Sequence, residues 1–176
     1  MSAVSLRVTD LHAYYGESHV LHGVSCHVDQ GEVVTLLGRN GAGRTTTLRS
    51  LLGLVGSRSG SVLINGQEAI ALAPHRIARL GVGYCPEERG IYASLSAEEN
   101  LLLPPPLAPV IVQALARTIR RLRERGYTIV MVEQNFRFAA PLADRFYIME
   151  RGRIVAGFAA CELQARMALL HEYLGV

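Results

Sequence analysis

Gly31-Glu32-Val33-Val34-Thr35-Leu36-Leu37-Gly38-Arg39-Asn40-Gly41-Ala42-Gly43-Arg44-Thr45-Thr46-Thr47-Leu48-Arg49-Ser50-Leu51 is the stretch from which the fold is read. Val33–Leu37 is short, apolar and β-branched, as a strand buried on both faces of a parallel sheet should be. It breaks into a glycine-rich loop, Gly38 to Gly43, and Thr45 to Leu52 then reads as a helix. Strand, glycine loop and helix start together form the context of an anion site. The backbone N–H groups of such a loop converge on a concave pocket, and the helix N-terminus adds partial positive charge.

The spacing fits the Walker A pattern G-x-x-x-x-G-K-[ST] at every position but one. Gly38 and Gly43 bracket four residues, Thr45 supplies the hydroxyl expected on Mg²⁺, and Arg44 stands where lysine belongs. Arginine keeps the charge, but its planar fork is bulkier than an ammonium group at a crowded phosphate site. The whole chain contains no lysine, and its 18 basic residues are all arginine. Arg44 is therefore open to two readings, a chain-wide preference for arginine or a loop that has changed its use.

A length of 176 residues predicts one domain with a substantial core, and a composition 49% apolar excludes disorder. No apolar run reaches the roughly 18–20 residues of a membrane span. The N-terminus MSAVSLRVTD carries charges where a signal peptide has its apolar core, which predicts a cytoplasmic protein. Cys26, Cys85 and Cys161 lie far apart without CxxC spacing, as reduced thiols do. The net charge of +3 is too small to demand nucleic acid as a partner.

Outward from the glycine loop, strands are expected at Leu6–Val8 and Val24–Val28, with Asp29–Glu32 turning into the loop strand. A loop should cover Gly53 to Gly60. Strand Ser61–Ile64 with the Asn65-Gly66 turn predicts a hairpin. A short helix is expected from Pro74 to Leu80, then a strand at Val82–Cys85. Ser96 and Glu99 form a capping box for a helix that Pro104-Pro105-Pro106 ends. A second helix should run from Leu107 to Arg125. Leu107, Val110, Ile111, Ala114, Leu115, Ile119 and Leu122 line its inward face, and Arg117, Arg120, Arg121 and Glu124 its outer one. With no aromatic residues interleaved, that arginine face reads as solvated, not as a nucleic-acid surface. Gly126 should cap the helix. Strand Thr128–Val132, helix Phe136–Leu142, strands Arg145–Met149 and Ile154–Gly157, and an amphipathic helix Glu162–Leu174 complete an α/β pattern.

Together these pieces resemble the ATP-binding subunit of an ABC transporter, and within that family the branch serving branched-chain amino acid importers. The resemblance implies a P-loop NTPase-like three-layer core with a mainly parallel sheet and an antiparallel N-terminal β layer. It assigns Tyr15 to the aromatic loop that stacks on adenine, and Gly38, Arg39, Asn40, Gly41, Ala42, Gly43, Arg44, Thr45 and Thr46 to the phosphate loop of an ATP site, with Thr45 on Mg²⁺. Glu87, in Tyr84-Cys85-Pro86-Glu87, falls where most members place the Q-loop glutamine. Gln134, in Glu133-Gln134-Asn135, falls where most place the switch histidine. Tyr147 to Val155 matches the hairpin after the switch. The implied partners are a second ATPase subunit and membrane-spanning permease subunits, on the inner face of the cell membrane.

Two of the family's motifs have no match here, the LSGGQ-type signature and a Walker B strand ending in Asp-Glu. Both belong between the helix at Leu101 and the helix at Leu107. The chain therefore reads as a single nucleotide-binding domain, residues 1–176, with an internal excision joined near 103–107 and most of the helical subdomain missing. Thr128–Glu133 meets the minimal Walker B pattern, four or more apolar residues ending in an acid, but lacks the aspartate, and Gln134-Asn135 suits the switch better. Without that carboxylate pair, hydrolysis should be impaired, since losing a general base costs about 10²–10⁴ in rate. An importer ATPase in impaired form, a non-catalytic nucleotide-binding remnant and a non-functional deletion product remain the three alternatives.

Overall fold

The computed structural model of the chain describes residues 3–85 and 109–175. Its strands form two four-stranded sheets. In the first, β1 (Val4–Tyr15) and β2 (Ser18–Asp29) make a long antiparallel hairpin. In the second, β3 (Val33–Leu37) is central and all five of its residues are buried. The helix α1 (Arg44–Leu51) follows it. The chain then returns to the first sheet, where β4 (Ser57–Ile64) pairs antiparallel with β1 and β5 (Gln67–Glu68) pairs with β4. The hairpin expected at Asn65-Gly66 is present, with φ of 49° and 79°, the two positive angles that a type I′ turn requires. β4 begins inside the expected Gly53–Gly60 loop because Ser57 already pairs with Tyr14.

The helices α2 (Pro74–Ala78) and α3 (Pro109–Glu124) precede β6 (Ile129–Glu133), which runs parallel to β3. After the one-turn helix α4 (Phe136–Ala139), β7 (Arg145–Glu150) runs parallel to β3 on its other side. β8 (Arg153–Ala159) is antiparallel to β7 and completes the order β6-β3-β7-β8. The parallel core and the antiparallel N-terminal layer are thus both realised. Val8, Leu11, Leu21 and Val62 of the first sheet share one core with Val34, Leu36 and Met149 of the second and Leu51 of α1.

Several expectations are corrected. Val82–Cys85 is not a strand, and Tyr84 is 41% exposed; an isolated extended segment has no ladder to join among the described residues. Glu162–Leu174 is not one helix. A 3₁₀ segment, Ala160–Arg166, precedes α5 (Met167–Leu174), though Leu170 is buried and Leu163, Met167 and Leu174 pack beside it as expected. In α3 the buried stripe is narrower than the sequence pattern. Ile119 and Ala116 pack on Val33, Ile129, Met131 and Leu142, whereas Ala114 and Leu115 face outward. The reason lies in β6, the sheet's edge strand among the described residues, whose five residues are all half-buried, so the helix has little sheet to cover beyond it. Arg117, Arg120, Arg121 and Glu124 are exposed as expected, and Gly126 has the positive φ of a helix terminator. The Ser96 capping box, the proline run, Leu107 and the junction near 103–107 lie outside the described residues, as do the side chains of Val110 and Ile111.

Arg145 ties the two sheets together. Its Nε donates to Glu32 Oε1 at 2.8 Å, its Nη1 bonds His27 Nε2 at 2.9 Å, and Asp29 lies 3.6 Å from Nη2. Burial pulls the guanidinium pKa down, but the Glu32 hydrogen bond and charge, with Tyr147 and Asp29, hold it above its ordinary value. The Tyr147 hydroxyl donates to the His27 carbonyl at 3.2 Å, and burial raises its pKa.

Candidate functional site

The site begins where β3 ends. Leu37 is level with Glu133 in the parallel register, so the glycine loop and the residues after β6 emerge side by side at the C-terminal edge of the strands. In open α/β sheets that edge is where ligands bind. Gly38 is buried, and a Cβ on it would lie 2.6 Å from the Met149 carbonyl oxygen and 2.9 Å from Ala42 Cβ. Only glycine lets β7 approach the loop this closely. Arg39 and Asn40 are exposed at the loop crest, and Ala42 N–H donates to Arg39 O at 3.1 Å. Gly41 and Gly43 take φ of 81° and 101°, turning the chain into α1.

That turn leaves a set of donors aimed outward. Thr47 N–H and Thr47 Oγ1 both donate to Gly43 O, at 2.8 and 2.9 Å, which fixes the first turn of α1. No carbonyl among the described residues accepts from the N–H groups of Gly41, Gly43, Thr45 or Thr46. Unpaired amides at the N-terminus of an eight-residue helix form an anion nest. Thr45 is exposed beside them and Thr46 half-buried. Arg44 Nη2 lies 3.5 Å from Asn40 Oδ1, so its guanidinium folds along the loop. These groups have the chemistry that a polyphosphate calls for: main-chain amides, a guanidinium and a threonine hydroxyl.

A second set of contacts, which the sequence reading passed over as a simple turn, holds the loop from behind. Arg151 and Gly152 join β7 to β8 with φ of 47° and 74°. Gly152 N–H donates to Ala42 O at 2.9 Å, and Gly152 O accepts from His22 N–H at 2.9 Å. A Cβ on Gly43 would meet Leu21 Cδ2 at 2.9 Å and Gly152 Cα at 3.2 Å. The phosphate loop is therefore clamped between β2 and the β7–β8 turn. A glycine at the tip of an Arg-Gly turn was the only signal available for this role.

Tyr15 sits at the tip of the β1–β2 hairpin, 45% exposed, next to Gly16 with φ 59°. Gln134 is exposed one residue past β6, and Asn135 caps α4 by accepting from Phe138 N–H at 3.2 Å. Glu133 Oε2 accepts from Asn135 N–H at 3.3 Å. Glu87 lies outside the described residues. Among the described residues no three His, Cys, Asp or Glu side chains are arranged to hold a metal.

A family model described as ABC transporter matches residues 21–168. The branched-chain amino acid transport ATP-binding protein BraG of Pseudomonas aeruginosa is 31% identical over 223 aligned positions, which cover 92% of this chain and 96% of BraG. The lipopolysaccharide export ATP-binding protein LptB of Acidithiobacillus ferridurans is 28% identical over 97% of this chain and 96% of its own. Among solved structures, an ATP-binding subunit of an ABC transporter superposes with a TM-score of 0.74 at 24% identity, covering 97% of this chain and 96% of that one. An alignment of 223 positions is longer than the 176 residues present, so part of BraG has no counterpart here.

Proposed function

The chain belongs to the ABC transporter family, and from that premise we propose that it is the ATP-binding subunit of an importer for branched-chain amino acids, one that binds Mg·ATP but turns it over poorly. The observation that carries the proposal is the nest at the end of β3, where the N–H groups of Gly41, Gly43, Thr45 and Thr46 meet no carbonyl among the described residues. Gly38, Gly41 and Gly43 shape the nest, Arg39, Asn40 and Ala42 complete it, and the Arg44 guanidinium neutralises phosphate charge. Thr45 offers its hydroxyl to the metal and Thr46 closes the first helical turn. Tyr15 stacks on the base. When bound, Mg²⁺ neutralises the charge that builds on the β- and γ-phosphate oxygens. Gln134 and Glu87 orient the attacking water.

The poor turnover follows from chain chemistry. The sequence offers no Asp-Glu pair at the end of an apolar strand, so the pair that serves as general base and supports the metal has no counterpart. We place the excision near 103–107 within one domain of 176 residues; the longer BraG alignment and the edge position of β6 among the described residues support it. BraG is a transport protein for branched-chain amino acids and LptB one for lipopolysaccharide export, and we favour the first, in line with the family branch that the sequence resembles. A second ATPase subunit and membrane-spanning permeases are the partners, which would hold the protein at the inner face of the cell membrane. No helix of the described residues is long and apolar enough to cross a membrane itself.

A competing reading, a binding subunit with no turnover at all, is favoured by the missing signature as well as the missing carboxylates. Mg·ATP titration together with steady-state phosphate release separates the two. Binding with slow release supports the impaired ATPase, binding with none the silent subunit. Turnover equal to that of an intact relative would overturn both.

A further inference from the structure

Three histidines stand together on the first sheet, outside the loop just described. His12 on β1 and His19 and His22 on β2 form a ring cluster, with centroids 5.1 Å apart for His12–His19 and 4.0 Å for His19–His22. Tyr14 stacks on His19 at 4.3 Å with the rings nearly parallel. His12 Nε2 lies 3.2 Å from Asp10 Oδ1, and His12 Nδ1 lies 3.0 Å from His19 Nε2. The carboxylate requires a hydrogen on His12 Nε2, so a neutral His12 presents a bare Nδ1 to the His19 Nε2–H.

That pairing has a limit. One added proton is tolerated, because a single hydrogen still lies between the facing nitrogens. A second puts N–H on both, breaks the bond and drives the rings apart. The groups around the cluster do not relieve this. Among the described residues Asp10 is the carboxylate bonded to it, Arg153 of β8 adds positive charge, and Ser59, across from His12 on β4, is neutral. Arg58, the next β4 residue, is committed to the carbonyls of Ser50, Ile70 and Leu72. The His22 pKa is lowered, first by burial and then by the charges of His19, Arg153 and His12.

The cluster is wired to the phosphate loop. His22 N–H bonds Gly152 O, and Gly152 N–H bonds Ala42 O. Leu21, between His19 and His22, is the side chain against Gly43. Tyr14, stacked on His19, directly precedes Tyr15 at the hairpin tip. We infer that His12, His19 and His22 are positioning residues for the nucleotide site, and that nucleotide binding weakens when the cluster takes up protons. The inference rests on the nucleotide-binding reading above. A nucleotide held by the clamped loop selects the neutral cluster, while the free protein accepts protons, so affinity falls on acidification. Direct attraction between imidazolium and phosphate has the opposite sign, which gives the test its direction.

The experiment is calorimetric titration of Mg·ADP into the native chain and into His19→Asn at pH 8.0, 7.0, 6.0 and 5.5, with thermal melting at each pH to show that both are folded. His19→Gln serves as the second variant. ADP's own titration is common to all three proteins, so the difference between them isolates the cluster. The native chain should lose about tenfold in affinity between pH 8.0 and 5.5 relative to the variants, about one linked proton over one pH unit. Equal pH slopes, an affinity that rises on acidification, or a folded variant that binds nothing at pH 8.0 would each overturn the inference while leaving nucleotide binding standing. A native chain that binds no Mg·ADP at pH 8.0 sinks the nucleotide reading and the inference with it.

Discussion

Replacing Gly152 by alanine probes the clamp behind the phosphate loop, and Gly66 supplies an internal control. Both glycines are second in a two-residue turn with φ near +75°, 74° and 79° respectively. An L-residue in that region costs about 1–2 kcal/mol at either place. The surroundings differ. A Cβ on Gly66 has nothing within 4 Å, whereas one on Gly152 runs into the Val20 carbonyl oxygen and comes within 2.9 Å of His22 Cδ2. The Val20 contact is backbone, so the β7–β8 turn must move away from β2. That costs about 1–3 kcal/mol of overpacking and weakens two hydrogen bonds of about 0.5–1.5 kcal/mol each. Gly152→Ala should therefore lower unfolding stability by about 3–5 kcal/mol and Gly66→Ala by about 1–2. Urea unfolding at pH 7.5 with a common m-value measures both. Equal losses would refute the claim that the turn braces the loop.

Other perturbations follow the same geometry. Arg145→Met strands Glu32 and Asp29 between the sheets and should cost about 2–4 kcal/mol in urea unfolding, with nucleotide affinity changed less than threefold; an unchanged midpoint would contradict the tie between sheets. Arg44→Ala should weaken Mg·ATP about 10- to 100-fold by removing a charge-assisted bond, and Arg44→Lys should bind at least as tightly as the native chain. Equal affinities for all three would mean that Arg44 does not face phosphate. Burial raises the Glu68 pKa, but the Ser61 hydroxyl and the N–H groups of Val62, Ile70 and Ala69 outweigh it and lower the value below 4.5. A carboxyl lowered in the folded state stabilises above its unfolded pKa, and that contribution is lost as pH falls through the folded one. Melting of Glu68→Gln against the native chain should show a gap at pH 6 that closes as pH falls through the lowered folded value; a constant gap would contradict the sign.

The parts of the fold that were legible in the sequence are those whose signals are local. Val33–Leu37, the glycines after it and the Asn65-Gly66 turn each announce one backbone geometry, and each is found. Thr128–Val132 was legible as a strand but not as an edge, since the same apolar run suits a strand with neighbours on both sides. Val82–Cys85 holds a valine and a tyrosine, residues that favour strands, yet a strand exists only with a partner, and none is found among the described residues. The breadth of α3's apolar face misled in the same way, because Leu115 is inward only if there is sheet to cover. At the site, the turn geometry of Gly41 and Gly43 could be read from spacing alone. The bracing of Ala42 by Gly152, more than a hundred residues away, and the meeting of His12 with His19 and His22 could not, because both depend on how two sheets pack.

The central claim is that main-chain amides between Gly38 and Thr46 hold a triphosphate. Calorimetric titration of the native chain with ATP, with and without Mg²⁺ at pH 7.5, tests it most directly. The account predicts saturable one-to-one binding, tighter with Mg²⁺, together with a rise in melting temperature that grows with nucleotide concentration. No heat of binding and no thermal shift at millimolar Mg·ATP would contradict it.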